Sequence, residues 1–444
     1  MREVRKPQLD IFVQYPDHVL SQELRQISMI LDRHPEFSEW VHVDLSENKK
    51  KVGDSGMSAD QVLRAAIVKQ IRGVSYEELA FDLQDSASTR AFLGLGHSEW
   101  YSASCLQENI HRISEESWEQ IQSGLLLDAK ESGMEDGKRV RIDSTVVESH
   151  IHHPTDSALL YDALRVISRE FRKLRQAAGK PHWRLSIAIK EVKSLVFRIR
   201  NSKNDDERLP HYKKLLRISK RALEDVIALL PKLQSSDSLE PEKTQKFEEV
   251  SGYLSQIINQ TEKRVLQGKK VAVEKKIVSI FEPHTDILVK DRRDTYFGHK
   301  VFVSSGESNL ILDCQIPRGN PADSDMFLQC LDQTTKAIGR VPLQTSTDGG
   351  FASKDNVKEA KDRGVRDVCF SKQCGMKITD MVKSSWVFNK LREWRAGIEG
   401  IISFLKRGFG LTRCNWRGYE GFCRYVRCGV VSFNLVAMAR YELK

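Results

Sequence analysis

One strand caught between two long helical stretches sets the limits on what this chain can fold into. In KRVRIDSTVVES, Val140, Ile142 and Ser144 alternate with Arg141, Asp143 and Thr145, the period of two of a half-buried strand. From Ser157 the period changes, and Leu160, Ala163, Leu164, Ile167, Phe171 and Leu174 form one helical stripe. Further helical runs span Trp183 to Arg200, Tyr212 to Leu230 and Phe247 to Val265, with breaks at Gly179-Lys180-Pro181, Asn201 to Asp206 and Gln234 to Pro241. Strands then return: KKIVSIF, GHKVFVSS and LILDCQIP, the last two joined as a hairpin through Ser305-Gly306-Glu307-Ser308-Asn309. A helix through Met326, Cys330 and Leu331 follows, then a strand VPLQTSTD that ends at Gly349-Gly350. Next come a helix from Ser353 to Asp362, a strand VRDVCFS and a C-terminal helical region containing WRAGIEGIISFLKRGFG. The pattern predicts an α/β fold with a mixed sheet, interrupted after its first strand by a helical insertion.

The residues before this strand read as short helices. Ser58 with Gln61 and Ser75 with Glu78 form capping boxes, Ser104 with Gln107 repeats the signal, and Gly73 interrupts the run. Such helices fit a helix-turn-helix DNA module and equally fit an ordinary bundle. At 444 residues the chain has room for two or three domains. The expected division is a helical N-terminal domain over 1–135, a catalytic α/β domain over 136–156 and 276–444, and an insertion over 157–275.

Charge is unevenly spread. Residues 155–275 carry 26 Lys/Arg against 16 Asp/Glu, residues 386–444 carry 11 against 4, and the remainder is net acidic. Two basic segments suit a polyanion such as DNA, since each neutralised phosphate releases a counterion; solvated helix faces are the plain alternative. No run of apolar residues approaches a membrane span, and the start MREVRKPQLDIF lacks a secretory core, so a soluble, cytoplasmic protein without a membrane partner is expected. The eight cysteines include no C-x2-C pair of the kind zinc ribbons use, and reduced thiols are expected.

Three carboxylates stand out. Asp143 lies within the first strand, Asp348 ends a later one beside Gly349-Gly350, and Glu399 lies on a late helix. Carboxylates gathered from two strands and a helix suit two hard Mg²⁺ ions that clamp the attacking and leaving oxygens of a phosphodiester. Around Glu399 the spacing is R-x3-E-x6-K, which puts Arg395, Glu399 and Lys406 on one face of a single helix; a solvated i,i+4 ion pair would share part of that spacing. His150, His152 and His153 with Asp156 invite a zinc reading, set against a turn at Pro154-Thr155-Asp156 that caps the first inserted helix. His299 and Lys300 either approach DNA from the hairpin or sit as a strand-edge pair facing solvent.

With R-x3-E-x6-K preceded by an Asp ending a strand and another Asp in an earlier strand, the sequence resembles the DDE transposases of bacterial insertion sequences. The fragments TRAFLGL, IDSTVVESHIHHPTDSALL, IFEPHTD, YFGHKVFV and STDGGF look closest to the ISNCY group. The resemblance implies an RNase H-like catalytic domain and an enzyme that cuts and joins DNA at element ends with two Mg²⁺ ions, or with Mn²⁺ in their place. It implies that Asp143, Asp348 and Glu399 are the catalytic, metal-binding triad and that Arg395 and Lys406 hold terminal phosphates. The partners implied are double-stranded terminal inverted repeats and target DNA, bound by a homodimer or larger assembly in the bacterial cytoplasm at the nucleoid. Where related enzymes carry a Tyr three residues before the Arg, this chain has Arg392. The basic inserted helices, through Arg165, Arg169 and Arg172, are a further expected DNA contact. A metal-dependent nuclease without joining activity and a non-catalytic transposase-derived DNA-binding protein are the rival readings.

Overall fold

The computed structural model describes residues 3–5, 17–46, 56–96, 98–236, 239–290 and 294–444. Seven helices come first: α1 (Val19–Arg33), α2 (Pro35–Ser46), α3 (Ala59–Arg72), α4 (Tyr76–Asp85), α5 (Ala87–Leu93), α6 (Ala103–Ile110) and α7 (Glu115–Glu131). Strand β1 (Arg139–Glu148) leads into α8 (Asp156–Ala177), α9 (Ile189–Asn201), α10 (Asp205–Gln234) and α11 (Pro241–Thr261), the last prolonged by a π turn over Glu262–Leu266. Then follow β2 (Asp286–Lys290), β3 (Asp294–Ser305), β4 (Ile311–Gln315), α12 (Asp323–Ile338), β5 (Gln344–Thr347), α13 (Lys354–Asp362), β6 (Asp367–Phe370), α14 (Ile378–Met381), α15 (Ser385–Arg395), α16 (Gly397–Gly408) and α17 (Gly418–Glu442).

Two compact units result, one from Met1–His150 with Leu288–Lys444, the other from Ile151–Ile287. In the first, α1 to α7 share one continuous apolar core with the sheet, built around side chains such as Phe37, Trp118, Phe302 and Phe370. The capping boxes at Ser58 and Ser75 are both formed, each hydroxyl accepting from the N3 backbone while Gln61 or Glu78 reaches back. For α6 the cap is Ser102, whose hydroxyl accepts from the Cys105 N–H, so the helix starts one residue after it and not at the Ser104 position that the spacing suggested.

The sheet is mixed. Its strands run in the order β2-β3-β1-β5-β6, and β4 also pairs with β3. β1 is antiparallel to β3 and parallel to β5, so it lies between the hairpin and the parallel strands. Asn434 of α17 donates to the Ile311 carbonyl at 2.8 Å and accepts from its N–H at 2.9 Å, which satisfies β4 where it has no strand neighbour. α17 is long and apolar enough to cross a membrane, but 89% of its most apolar window is buried against the protein, where it packs on α1, α3 and α7.

The segment KKIVSIF is not a strand. A short 3-10 turn over Val273–Lys275 is followed by irregular chain, and Ile277 and Ile280 are buried in the core of the helical unit. Their alternation reflects burial without a ladder. Within that unit Thr155 caps α8, its hydroxyl accepting from the Ala158 N–H at 3.2 Å, and Arg264 pairs with Asp156 at 2.9 Å.

Candidate active site

Asp143 occupies the middle of β1, opposite Val303 of β3 and one residue past the last pair with β5, Ile142 with Thr347. Its Oδ1 accepts from the Ser144 N–H at 2.8 Å, and its Oδ2 accepts from Arg395 Nη2, also at 2.8 Å. The same guanidinium donates from Nη1 to Glu399 Oε1 at 3.1 Å. Arg395 thus holds together a carboxylate of the sheet and one of the late helices. The Arg395 and Asp143 side chains are only 15% and 13% exposed, whereas Glu399 is 65% exposed. Burial pushes the Asp143 carboxyl above its ordinary range and the negative charge of Asp348 adds to this, against the opposing pull of Arg395 and the Ser144 N–H.

Asp348 follows β5 and caps the short turn Gly349–Phe351. Burial pushes its carboxyl up, but the Gly349 N–H, the Ser371 hydroxyl at 2.9 Å and the charges of Arg395 and Lys372 outweigh it, leaving it below the ordinary range. Asp348 therefore lies within electrostatic reach of both Asp143 and Arg395. The space beside the two glycines is filled by neighbours: a Cβ on Gly349 would meet the Lys372 side chain at 2.8 Å, and one on Gly350 would meet Asp323 Oδ2 at 2.9 Å.

The R-x3-E-x6-K run does not lie on one helix. Arg395 ends α15 and Glu399 sits in the first turn of α16, with Ala396 between them. The cause is Arg141, on the same face of β1 as Asp143 and 2% exposed. Its Nη1 donates to the Trp394 carbonyl at 2.9 Å, the group an uninterrupted helix would offer to residue 398, and its guanidinium packs over the Trp394 ring at 4.8 Å. A Cβ at Gly397 would come within 2.2 Å of Arg141 Nη1, so a side chain there would force the guanidinium to move. Around the junction the backbone tightens to i→i+3 bonds, Ala396 N–H to Glu393 O and Glu399 N–H to Ala396 O, both 3.2 Å. Glu399 gains a place near the positive end of α16. Lys406 lies in the last turn of that helix.

His299 and Lys300 are not on a free sheet edge. β3 is paired on both sides, and His299, 1% exposed, packs edge-on against the rings of Tyr419 and Phe422. Lys300 turns inward to the Pro321 carbonyl at 2.9 Å and to Asp323 Oδ1 at 3.1 Å. Both side chains are thus engaged inside the protein, whereas the hairpin contact expected of them needs them at the surface. Asp323 also accepts from the Ser144 hydroxyl at 3.3 Å, so a fourth carboxylate braces the neighbour of Asp143. Arg141, Asp323, Ser371 and Lys372 carry no spacing signal; only the position of Arg141 two residues before Asp143 marked it as sharing that strand face.

In the helical unit, Arg165 pairs with Asp162 at 3.1 Å, and Glu170 takes both Arg169 at 2.9 Å and Lys173 at 3.2 Å. Arg172 is exposed on the same helix.

Among the described residues, no group of three or more His, Cys, Asp or Glu side chains is gathered closely enough to hold a metal ion, the His150 to Asp156 cluster included. The donors near Arg395 nevertheless suit a hard cation: they are carboxylate oxygens, and a positive group, the Arg395 guanidinium, already sits between two of them. No curated protein and no solved structure matches the chain. Residues 289–426, which include Asp348, Arg395, Glu399 and Lys406 but not Asp143, match the family model described as Transposase DDE domain, and this supports a DDE transposase.

Proposed function

We propose that the chain is an insertion-sequence transposase: it hydrolyses DNA at the element ends to expose a 3′-hydroxyl, and directs that hydroxyl onto a phosphodiester of target DNA. The observation that carries this reading is the sharing of one guanidinium by Asp143 and Glu399, with Asp348 in electrostatic reach. Asp143, Asp348 and Glu399 would hold the two Mg²⁺ ions, or Mn²⁺ in their place, which supply charge stabilisation to the attacking and leaving oxygens. Arg395 can grip a phosphate bidentately and Lys406 adds a point charge, so the pair would fix the DNA end for in-line attack. The inserted helices, including Arg165, Arg169 and Arg172 of α8, would hold flanking DNA, with the protein acting as a homodimer or larger assembly in a bacterial cytoplasm.

Glu399→Gln is expected to abolish both cleavage of terminal-repeat DNA and joining of a pre-cut end while DNA affinity stays within about twofold. Retained strand transfer would overturn the triad and move attention to Glu148, held by Arg413 at 2.8 Å. Wild-type cleavage with no joining of a pre-cut end would identify a nuclease instead.

A further inference from the structure

Along α10, residues 208–221 contain Arg208, Lys213, Lys214, Arg217, Lys220 and Arg221 and not one Asp or Glu. Arg208 pairs with Asp205 and Lys214 with Glu191, but among the described residues Lys213, Arg217 and Arg221 have no carboxylate within ion-pair distance. These three recur every fourth residue, so they form one line with a rise of about 6 Å per step. That spacing is close to the roughly 7 Å between neighbouring phosphates of one duplex strand, which advance about 3.4 Å along the axis and also turn around it.

The line borders a groove of about 520 Å³ whose other wall is the π turn Glu262–Leu266. Such turns are rare and concentrate at functional sites. Here the turn brings Glu262 to Lys220 at 2.5 Å, with the two side chains 31% and 50% exposed. A pair so exposed is worth little, so an incoming phosphate can take Lys220 from Glu262. In sequence, Lys263 lies within the same turn and Lys269 and Lys270 follow it, while Arg264 is taken by Asp156. On α8, by comparison, Arg165, Arg169 and Lys173 each lie against a carboxylate, Asp162 or Glu170, whereas Lys213, Arg217 and Arg221 do not.

We infer that the groove between α10 and the π turn, lined by Lys213, Arg217, Lys220 and Arg221, is a sequence-independent binding site for the backbone of duplex DNA. The inference rests on the transposase reading for its ligand and locates the main DNA contact of the inserted unit on α10.

The test uses the full chain, mixed-sequence duplex DNA and a salt titration followed by fluorescence anisotropy. Lys213→Gln, Arg217→Gln and Arg221→Gln together should make the slope of log K against log salt shallower by about 2 to 3 and weaken binding at least about tenfold, because each lost phosphate contact removes about 0.9 from the slope. All three side chains are exposed, so the melting temperature should hold. Glu224→Gln, which removes an acid from the same groove, should tighten binding about two- to threefold. A triple variant with the wild-type slope, or a Glu224→Gln protein with unchanged affinity, would overturn the assignment. So would loss of binding to single-stranded RNA with duplex binding kept. If wild-type protein itself shows no salt-dependent binding to duplex DNA, the transposase reading falls as well. If it binds and cleaves element ends while the triple variant keeps its slope, only the groove falls.

Discussion

The guanidinium of Arg395 reaches Asp143 at 2.8 Å on one side and Glu399 at 3.1 Å on the other, so the cation that the family resemblance assigns to phosphate is held by the carboxylates themselves. Removing it leaves Asp143, 13% exposed, with no other ion-pair partner among the described residues. Arg395→Ala should therefore cost about 2–3 kcal/mol of stability at neutral pH, below the full penalty for a fully buried pair because both groups keep some solvent contact. Millimolar Mg²⁺ should raise the melting temperature of this variant more than that of wild type, since a divalent ion can then balance both carboxylates. Equal shifts in the two proteins would mean that Arg395 and the ion do not share a position. Arg395→Lys, which cannot span two carboxylates in the same way, should fall between.

Arg141 governs the geometry of the same site from below. Its bond to the Trp394 carbonyl and its stacking on the Trp394 ring hold the α15–α16 junction that separates Arg395 from Glu399. Arg141→Lys keeps the charge but cannot make the planar contacts, and single-turnover cleavage should drop about tenfold, roughly 1.4 kcal/mol of transition-state stabilisation, with DNA affinity unchanged. An equal loss of affinity would mark Arg141 as a DNA contact, and a normal rate would mean the junction tolerates movement.

This junction also shows where reading the sequence stops. The alternation in β1 and the turn between β3 and β4 are local, and each could be read because its cause lies in adjacent residues. The break at Ala396 comes from an arginine on a strand more than two hundred residues earlier, and no periodicity encodes that. The same holds for Asp323, whose partners Ser144 and Lys300 stand on two other elements. KKIVSIF misled because alternate burial of apolar side chains does not require a neighbouring strand, and His299 because β3 is paired on both sides. Lone strand signals give the faces of a strand, not its neighbours.

Asp313 on β4 offers a pH test independent of catalysis. Burial pushes its carboxyl up to about 6, against the smaller opposing effects of Gln315 and Arg427. Below the ordinary range, near 4, folded and unfolded chains both hold the proton. Between about 4 and 6 only the folded chain does, so this group makes stability fall as pH rises through that window and adds no further change above it. The full effect of two units is roughly 3 kcal/mol. Asp313→Asn should flatten the fall and leave the protein more stable than wild type at pH 7, measured by denaturant unfolding at several pH values. Parallel curves for the two proteins would place the proton elsewhere.

Asp323 ties together residues beside two of the three candidate catalytic carboxylates. One oxygen accepts from Ser144, next to Asp143, and from Lys300; the other lies where a side chain on Gly350, two residues after Asp348, would have to go. It is the first residue of α12, where the helix N-terminus favours its negative charge. Adjacent strand residues face opposite ways, so Asp323 supports Ser144 from the side of β1 away from the Asp143 carboxylate, a positioning role and not a catalytic one. Asp323→Ala would leave Lys300 with the Pro321 carbonyl but no carboxylate, and should cost about 1–2 kcal/mol of stability and slow end cleavage about tenfold. Asp323→Asn keeps an acceptor for Ser144 and Lys300, so it should recover most of the rate while losing the charge. Failure of Asn to rescue, with stability restored, would mean that the negative charge itself acts on the reacting DNA, and Asp323 would then join Asp143, Asp348 and Glu399 in the site.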